Sequence, residues 1–422
     1  MTTARNLAFV ACALLLVVSV SANDWSTFRG PDRTGVSTET GLLKSWPAGG
    51  PPLVWKAEGV GRGYASLAIF GGKIFTLGDG TTADDPDEYL MSYEEQTGKF
   101  LWKTKTGPAW NSGNSAWQSS RSTPSTDGKM VYVVTPYGVL VACEAAGGKE
   151  VWRKDLKAQF EGKKGDGWGF SESPLIDGDK LICTPGAEEA TVVAFNKTTG
   201  DVLWKASQPE TRGAGHASIV ISEIGGQRVY VQLTAGGAMG IRASDGTVLW
   251  NYPIEQTTAV CPTPIIKDDL VFIAAGYKRG GALLRQVPKD GGKIDVEEIF
   301  PMKNDLANKH GGVVRVGDYI YADSDDAGIP YCAQLMNGEI KWKQRGSGKN
   351  SASMAAADGH LYIHFADGTM VLANADPAAY KEVGSFQIPG TGDRPSWAHP
   401  VIVDGKLFLR ENNEILCYNI KE

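Results

Sequence analysis

The sequence predicts an all-β protein, an eight-bladed β-propeller of four-stranded antiparallel blades. The 422 residues include 52 glycines, and short apolar runs are separated by Gly-Asp and Asp-Gly pairs. Five times a glycine precedes a tryptophan by four positions, as Gly200 precedes Trp204. A unit of about 45 residues recurs around these pairs. Because one four-stranded sheet cannot bury both of its faces, the units are expected to stack around an axis.

Residues 1–22 have the pattern of a secretory signal peptide. A basic residue precedes an apolar run of 14 residues, Leu7 to Val20, and small residues follow it. That run is too short to span a bilayer, which argues against the alternative of a membrane anchor. We therefore expect cleavage near Ala22 and a periplasmic or secreted protein. An N-terminal arm at 23–50 and a single propeller domain at 51–422 would follow.

Seven complete units and one incomplete unit make up the predicted ring. They begin near Tyr64, Arg121, Ser171, His216, Cys261, Lys309, Ser351 and Trp397. The last unit has three strand-like segments and lacks the fourth. The segment Pro51 to Gly59 has the form of an outer strand, with Trp55 at the repeat position. Since an open ring would leave unpaired sheet edges, this N-terminal strand should complete the eighth blade beside Ile415 to Ile420.

Tryptophan marks the contacts between blades. Six tryptophans occupy the repeat position and are expected to dock each blade on the next: Trp55, Trp102, Trp152, Trp204, Trp250 and Trp342. Trp25 and Trp46 fall in the N-terminal arm and are expected to pack it against the blades.

Charge and cysteine content exclude several classes of protein. The formal net charge is −6 and no basic tract is present, which argues against a nucleic-acid partner. Five cysteines follow the signal peptide, in strand-like runs and without a C-x-x-C pair. This pattern indicates buried small side chains instead of a disulfide framework or a zinc site.

The start of each inner strand should face the central channel and form a funnel. The candidate ligand-binding residues at these positions are Tyr64, Arg121, Glu172, His216, Lys309, His310, Trp397 and His399. Three of the five histidines of the chain are among them. One interpretation is a metal or proton-transfer site. The other, which we favour, is a small-molecule pocket or a polar filling of a wet channel, without a metal.

Aromatic residues also concentrate in two long connectors that enter blades. Trp110, Trp117, Trp168 and Phe170 are the candidates for an aromatic binding face. Long loops that carry aromatic side chains on one face are a common form of binding surface. The alternative is that these rings cap the core of the propeller.

The repeat resembles that of PQQ-like, or quinoprotein, propellers. The segments "AFNKTTGDVLW" (Ala194 to Trp204) and "IRASDGTVLW" (Ile241 to Trp250) carry the tryptophan-docking signature of that family. The opening "WSTFRGPDRTGVS" and the closing "SWAHPVIVDGKLFLR" resemble exported propellers described as polyvinyl-alcohol-dehydrogenase-like. The family includes BamB-type scaffolds and quinoprotein alcohol dehydrogenases.

The resemblance implies two functions of different classes. The favoured one is a binding or scaffold protein, a monomer that takes a protein, glycan or small-molecule ligand on one propeller face. The alternative is a PQQ-dependent dehydrogenase of an alcohol or sugar, with calcium, Glu172 as the catalytic carboxylate and Arg121 as an anion contact. The adjacent cysteine pair found in many such dehydrogenases and the C-x-x-C-H haem motif are both missing from the sequence.

Overall fold

The computed structural model describes residues 24–80, 85–255, 258–310, 312–390, 392 and 394–422. The predicted signal peptide, 1–22, lies outside the described residues. Within them the chain forms 32 strands in eight four-stranded sheets. In the same residues one short helix, α1 (Leu156–Phe160), occurs with four 3-10 turns, at Ser115–Trp117, Asp290–Gly292, Asn304–Leu306 and Asp325–Ala327. No described helix is long and apolar enough to cross a membrane.

The first half of the ring follows an outer strand, β1 (Leu53–Glu58). Every blade is antiparallel, and the first seven place their four strands in chain order. The first blade contains β2 (Ala68–Phe70), β3 (Lys73–Asp79), β4 (Asp87–Glu94) and β5 (Phe100–Pro108). The second contains β6 (Ser125–Thr126), β7 (Met130–Val134), β8 (Val139–Glu144) and β9 (Glu150–Asp155). The third contains β10 (Leu175–Asp177), β11 (Lys180–Cys183), β12 (Val192–Asn196) and β13 (Val202–Ala206). The fourth contains β14 (Val220–Ile224), β15 (Gln227–Thr234), β16 (Gly237–Arg242) and β17 (Val248–Pro253).

The second half repeats the same order. The fifth blade contains β18 (Ile265–Lys267), β19 (Leu270–Ala275), β20 (Gly280–Pro288) and β21 (Ile294–Lys303). The sixth contains β22 (Val314–Val316), β23 (Tyr319–Asp323), β24 (Pro330–Gln334) and β25 (Ile340–Lys343). The seventh contains β26 (Ala352–Ala357), β27 (His360–Phe365), β28 (Thr369–Asn374) and β29 (Glu382–Gln387). The eighth contains β30 (Val401–Val403), β31 (Lys406–Glu411) and β32 (Glu414–Asn419), with β1 as its fourth strand.

The ring closes as the sequence predicts. Strand β1 pairs antiparallel with β32, with Trp55 opposite Cys417 and Ala57 opposite Ile415. The eighth sheet therefore has the order β1-β32-β31-β30. This pairing confirms the predicted fold class and covers the edge of β32 that an open ring would expose.

The repeat tryptophans lie between neighbouring blades. Trp204, on the outer strand of the third blade, packs on Gly246 of the fourth and donates from Nε1 to the carbonyl of Ala243 at 3.2 Å. Gly246 has a φ of +79° and its missing Cβ would meet the indole at 2.6 Å, so only glycine fits this contact. Trp55 makes the same contact across the closure, donating to the carbonyl of Glu95 at 3.1 Å.

The predicted unit starts precede the hydrogen-bonded inner strands, usually by four residues. Blade three, predicted to begin near Ser171, has its first strand at Leu175–Asp177. Before these strands begin, neighbouring blades are joined by hydrogen bonds. The amide of Ser173 in the third blade donates to the Ser218 hydroxyl in the fourth at 3.0 Å. Small hydroxyl side chains at these positions therefore satisfy backbone groups of the next blade.

The N-terminal arm crosses the ring. Trp25 forms two backbone hydrogen bonds with Ile69 of the first blade, and Ser37 donates to Ala356 of the seventh. Trp46 packs between the seventh and eighth blades, with its ring 5.4 Å from that of Phe386. The arm thus supplies a tryptophan to a blade contact where the seventh unit has none of its own, and its packing against the blades is as expected.

Two buried arginines of the arm bond to backbone carbonyls just before the inner strands. Arg33 donates to the carbonyls of Ser173 at 2.9 Å and Ile219 at 3.1 Å, in the third and fourth blades. Arg29 donates to the carbonyl of Val313 in the sixth blade. These contacts join the arm to the third, fourth and sixth blades.

Candidate functional site

A cavity of about 160 Å³ lies where the connectors enter the inner strands. Seven of the eight residues at the predicted unit starts line it: Tyr64, Arg121, Ser171, His216, Cys261, Lys309 and Trp397. The eighth, Ser351, is not part of the lining. His310 and His399 also line the cavity, and Phe28 of the N-terminal arm contributes to its wall. The repeat therefore brings residues from seven blades to one place, because equivalent positions of a propeller converge on its axis.

Aromatic rings form much of the wall. Trp397 stacks on His310, with ring centroids 4.3 Å apart and planes inclined by 26°. The Tyr64 ring lies 4.8 Å from that of Trp397, with the planes inclined by 38°. Trp117, 39% exposed, has its ring 5.7 Å from that of Trp168. These flat apolar surfaces suit a planar or ring-shaped ligand group.

The four connector aromatics separate into two pairs. Trp117 and Trp168 line the cavity, as the binding-face prediction requires. Trp110 instead packs on Tyr137 at 5.2 Å and lines a neighbouring hollow. Phe170 is only 2% exposed and belongs to the core between the second and third blades. Phe170 therefore fits the alternative interpretation, in which the ring caps the core of the propeller.

Positive charge surrounds the aromatic rings. The guanidinium of Arg121 lies 5.2 Å from the Trp168 ring and 5.6 Å from the Tyr64 ring, and it donates to the carbonyl of Trp117. Arg394 approaches the Tyr64 ring at 5.2 Å. Lys309 also lines the cavity and pairs with Asp326. Guanidinium groups over ring faces are held in place while their charge stays available to an anion.

His216 joins three polar side chains. Its Nδ1 lies 2.6 Å from the Ser171 hydroxyl and 3.4 Å from Nζ of Lys164, and its Nε2 lies 2.8 Å from Oδ2 of Asp166. Burial, with the charge of Lys164, lowers the pKa of His216 to about 4. Burial alone would raise the pKa of Asp166, but the His216 hydrogen bond and nearby positive charge outweigh it, and the pKa falls to about 2. The neutral imidazole therefore carries its proton on Nε2 and accepts from Ser171 at Nδ1.

Glu172 points away from the cavity, which corrects its expected position. Its carboxylate accepts from the amide of Thr184 at 2.7 Å and from the Thr184 hydroxyl at 3.0 Å, and the residue is 3% exposed. Successive side chains of an extended segment face opposite sides, so Ser171 and Ser173 line the cavity and Glu172 does not. Burial raises its pKa to about 7.

Several buried nitrogen atoms of the lining have no hydrogen-bond partner among the described residues. They are Nε of Arg121, Nδ1 of His310, Nε1 of Trp397 and Nδ1 of His399. Nε of Arg121 and Nε1 of Trp397 are donors without an acceptor among the described residues, whereas Nδ1 of His399 carries a lone pair, because Nε2 of that ring donates to the carbonyl of His310 at 3.2 Å.

The lining does not fit the calcium-bound cofactor of the quinoprotein alternative. The described residues contain no group of three or more His, Cys, Asp or Glu that could hold a metal ion. Asp166, a carboxylate of the lining, is already bonded to His216. The five described cysteines are free thiols, so no disulfide covers the cavity.

Sequence reasoning missed Asp166, Lys164 and Phe28. Asp166 and Lys164 lie in a glycine-rich connector, "GKKGDGWGF", whose paired charges were a usable signal. Phe28 belongs to the arm, which has no counterpart in the repeat, so no alignment of units could place it.

The fold and family are shared with known proteins. A family model described as outer membrane protein assembly factor BamB matches residues 86–344, more than half of the chain. Outer membrane protein assembly factor BamB of Shewanella oneidensis is 22% identical over 341 residues, which cover 69% of this chain and 82% of that protein.

Two solved structures share the architecture. BamB from Moraxella catarrhalis matches with a TM-score of 0.59 at 14% identity, covering 85% of this chain and 94% of that one. A europium-containing methanol dehydrogenase matches with a TM-score of 0.67 at 12% identity, covering 92% and 89%. At such identities these likenesses show the fold alone. The family model decides the relationship: the chain belongs to the PQQ-like β-propeller family described as outer membrane protein assembly factor BamB.

Proposed function

We propose that this chain is an exported binding propeller whose site is the aromatic cavity at the end of its channel. The ligand, or the part of a partner that enters the cavity, carries an anionic group next to a flat apolar surface. The observation that carries this proposal is the convergence of Arg121, Lys309 and stacked aromatic rings on one cavity. Guests of this kind would satisfy all three features at once.

The relatives support a binding role over a catalytic one. The matched proteins are named as assembly factors and not as enzymes, and a binding role agrees with that name. The exposed Trp117 and the connectors around it form the rim through which a partner would reach the cavity. We further propose that the protein works as a monomer in the periplasm or outside the cell, after removal of residues 1–22.

Quinoprotein dehydrogenase activity receives less support. The likeness to methanol dehydrogenase is one of fold. Glu172, the carboxylate that would act as the base, faces Thr184 within the third blade instead of the cavity. The lining residues offer aromatic faces and cations to an anionic guest, and no group of three or more His, Cys, Asp or Glu that could hold a metal ion occurs among the described residues.

Calorimetric titration with naphthalene-2-carboxylate, compared with the neutral naphthalene-2-carboxamide, tests the proposal. The carboxylate should bind at least tenfold more tightly than the amide, because Arg121 supplies a charge that only the anion uses. Arg121→Gln should remove that preference. Arg345→Gln is the matched control, since Arg345 is an exposed arginine that bonds a surface carbonyl at 3.2 Å. Equal affinities for both compounds, no binding of the carboxylate, or an unchanged preference in Arg121→Gln would contradict the proposal.

A further inference from the structure

We propose that Ser171 is a nucleophilic serine, activated by His216 and Asp166, and that the cavity supports acyl transfer from esters whose acyl or alcohol part is anionic. This activity goes beyond the binding role proposed above. It follows from a chain of short contacts that runs from a carboxylate through an imidazole to a hydroxyl in the cavity wall.

The distances between the three side chains are those of a Ser-His-Asp triad. The Ser171 hydroxyl lies 2.6 Å from Nδ1 of His216, and Oδ2 of Asp166 lies 2.8 Å from Nε2 on the opposite side of the ring. Oδ1 of Asp166 accepts from the amide of Trp168 at 3.1 Å, which fixes the carboxylate. A Ser-His-Asp triad is recognised by its contacts and by the role of each residue, and its members occur in different chain orders in unrelated proteins. The order Asp166, Ser171, His216 is therefore compatible with a triad.

The resting protonation states match, although burial and the charge of Lys164 lower the pKa of His216 to about 4 and make the imidazole a weak base. The Asp166 carboxylate accepts the proton of Nε2, which leaves the lone pair of Nδ1 for the Ser171 hydroxyl. The ammonium of Lys164 lies 3.4 Å from the same Nδ1 and donates to the carbonyl of Gly215. Its positive charge therefore lies beside the imidazole.

The proposed steps conserve atoms and protons. The Ser171 oxygen bonds to the ester carbonyl carbon while its proton passes to Nδ1 of His216. The bond from that carbon to the alcohol oxygen then breaks, and the alcohol leaves with the proton from Nδ1. Water next attacks the acyl carbon and gives a proton to Nδ1, the bond to the serine oxygen breaks, and that oxygen recovers the proton as the acid leaves.

The surroundings indicate the substrate class. Asp166, Ser171 and His216 line the same cavity as Arg121, Lys309 and the stacked rings. An ester bound there would place an anionic group against the cations, within a cavity of about 160 Å³ that limits the size of the group admitted.

A neutral fluorophosphonate reagent tests this inference separately from the anion-binding proposal. Its phosphorus bonds to an activated serine oxygen as fluoride leaves and the serine proton passes through His216 to water. The full-length protein should acquire one label, located on Ser171 by peptide mass spectrometry. Ser171→Ala should abolish it, and His216→Gln should slow labelling at least 100-fold.

Ser351→Ala is the control, because Ser351 holds the corresponding repeat position in the seventh blade and lies outside the cavity lining. It should be labelled at the wild-type rate. Asp166→Asn should slow labelling at least tenfold while its circular dichroism spectrum stays unchanged. The inference would be overturned if the folded wild-type protein were not labelled at Ser171, or if wild type and His216→Gln were labelled at equal rates. The contacts of His216 would then have only the structural role of holding two connectors together.

Discussion

Arg33 of the N-terminal arm donates to the carbonyl oxygen of Ser173, 2.9 Å away, beside the wall of the cavity. Ser173 itself lines that cavity. The arm therefore bonds to the backbone of a residue that also lines the cavity. This relationship links the stability of the ring to the shape of the site.

Arg33→Ala should lower the free energy of unfolding by about 2 to 5 kcal/mol, because at least two buried carbonyls lose their donor. Urea denaturation followed by tryptophan fluorescence would measure the change. Arg345→Ala, at an exposed arginine, should change stability by less than about 0.5 kcal/mol. Similar losses in both variants would mean that the arm does not brace the ring.

Removal of residues 23–59 should prevent the ring from closing. The eighth blade would lose β1, and β32 would present an unpaired edge. The truncated protein should aggregate or melt at a much lower temperature than the protein that begins at Asn23. Size-exclusion chromatography and calorimetry would show this, whereas a monomer with an unchanged melting temperature would contradict the role of β1.

Trp204→Ala should cost about 3 to 5 kcal/mol of stability, since a large indole packed between two blades is removed. Trp117→Ala should cost less than about 1 kcal/mol, because that ring is 39% exposed at the rim of the cavity. The two free energies of unfolding would be compared by denaturant titration. If they fell equally, the division between docking tryptophans and cavity tryptophans would be mistaken.

Glu172→Gln should change how stability depends on pH. Burial raises the pKa of Glu172 from 4.5 to about 7, so the folded protein binds this proton more tightly than the unfolded chain. The resulting stabilisation is complete below about pH 4.5 and is lost as the pH rises through about 7. The variant cannot ionise here, so its stability relative to wild type should rise by roughly 1 to 3 kcal/mol between pH 4.5 and 8.

Urea titrations at several pH values would check this prediction. Glu223→Gln is the control, because Glu223 is an exposed carboxylate paired with Arg228. The same pH trend in both variants would show that the buried position of Glu172 is not the cause.

Sequence periodicity was sufficient to predict the ring, because each glycine and tryptophan pair records a contact between blades. The same alignment placed Tyr64, Arg121 and Trp397 around one cavity, since equivalent positions converge on the axis. The alignment failed for Glu172. Its register is uncertain by about one residue, and a shift of one residue moves a side chain of an extended segment from the channel side to the opposite side. The alignment also failed for Phe28, because the arm lies outside the repeat and its path depends on tertiary contacts.

Nitrogen-15 NMR of the tryptophan indole N–H groups, during titration with naphthalene-2-carboxylate, would locate the binding site. Saturable shifts are expected for Trp117, Trp168 and Trp397, which line the cavity. The signals of Trp204, Trp250 and Trp342, which lie between blades, should stay in place. Single Trp→Phe variants would assign the signals. Shifts confined to the tryptophans between blades, or no shifts at saturating concentration, would contradict the claim that this cavity is the binding site.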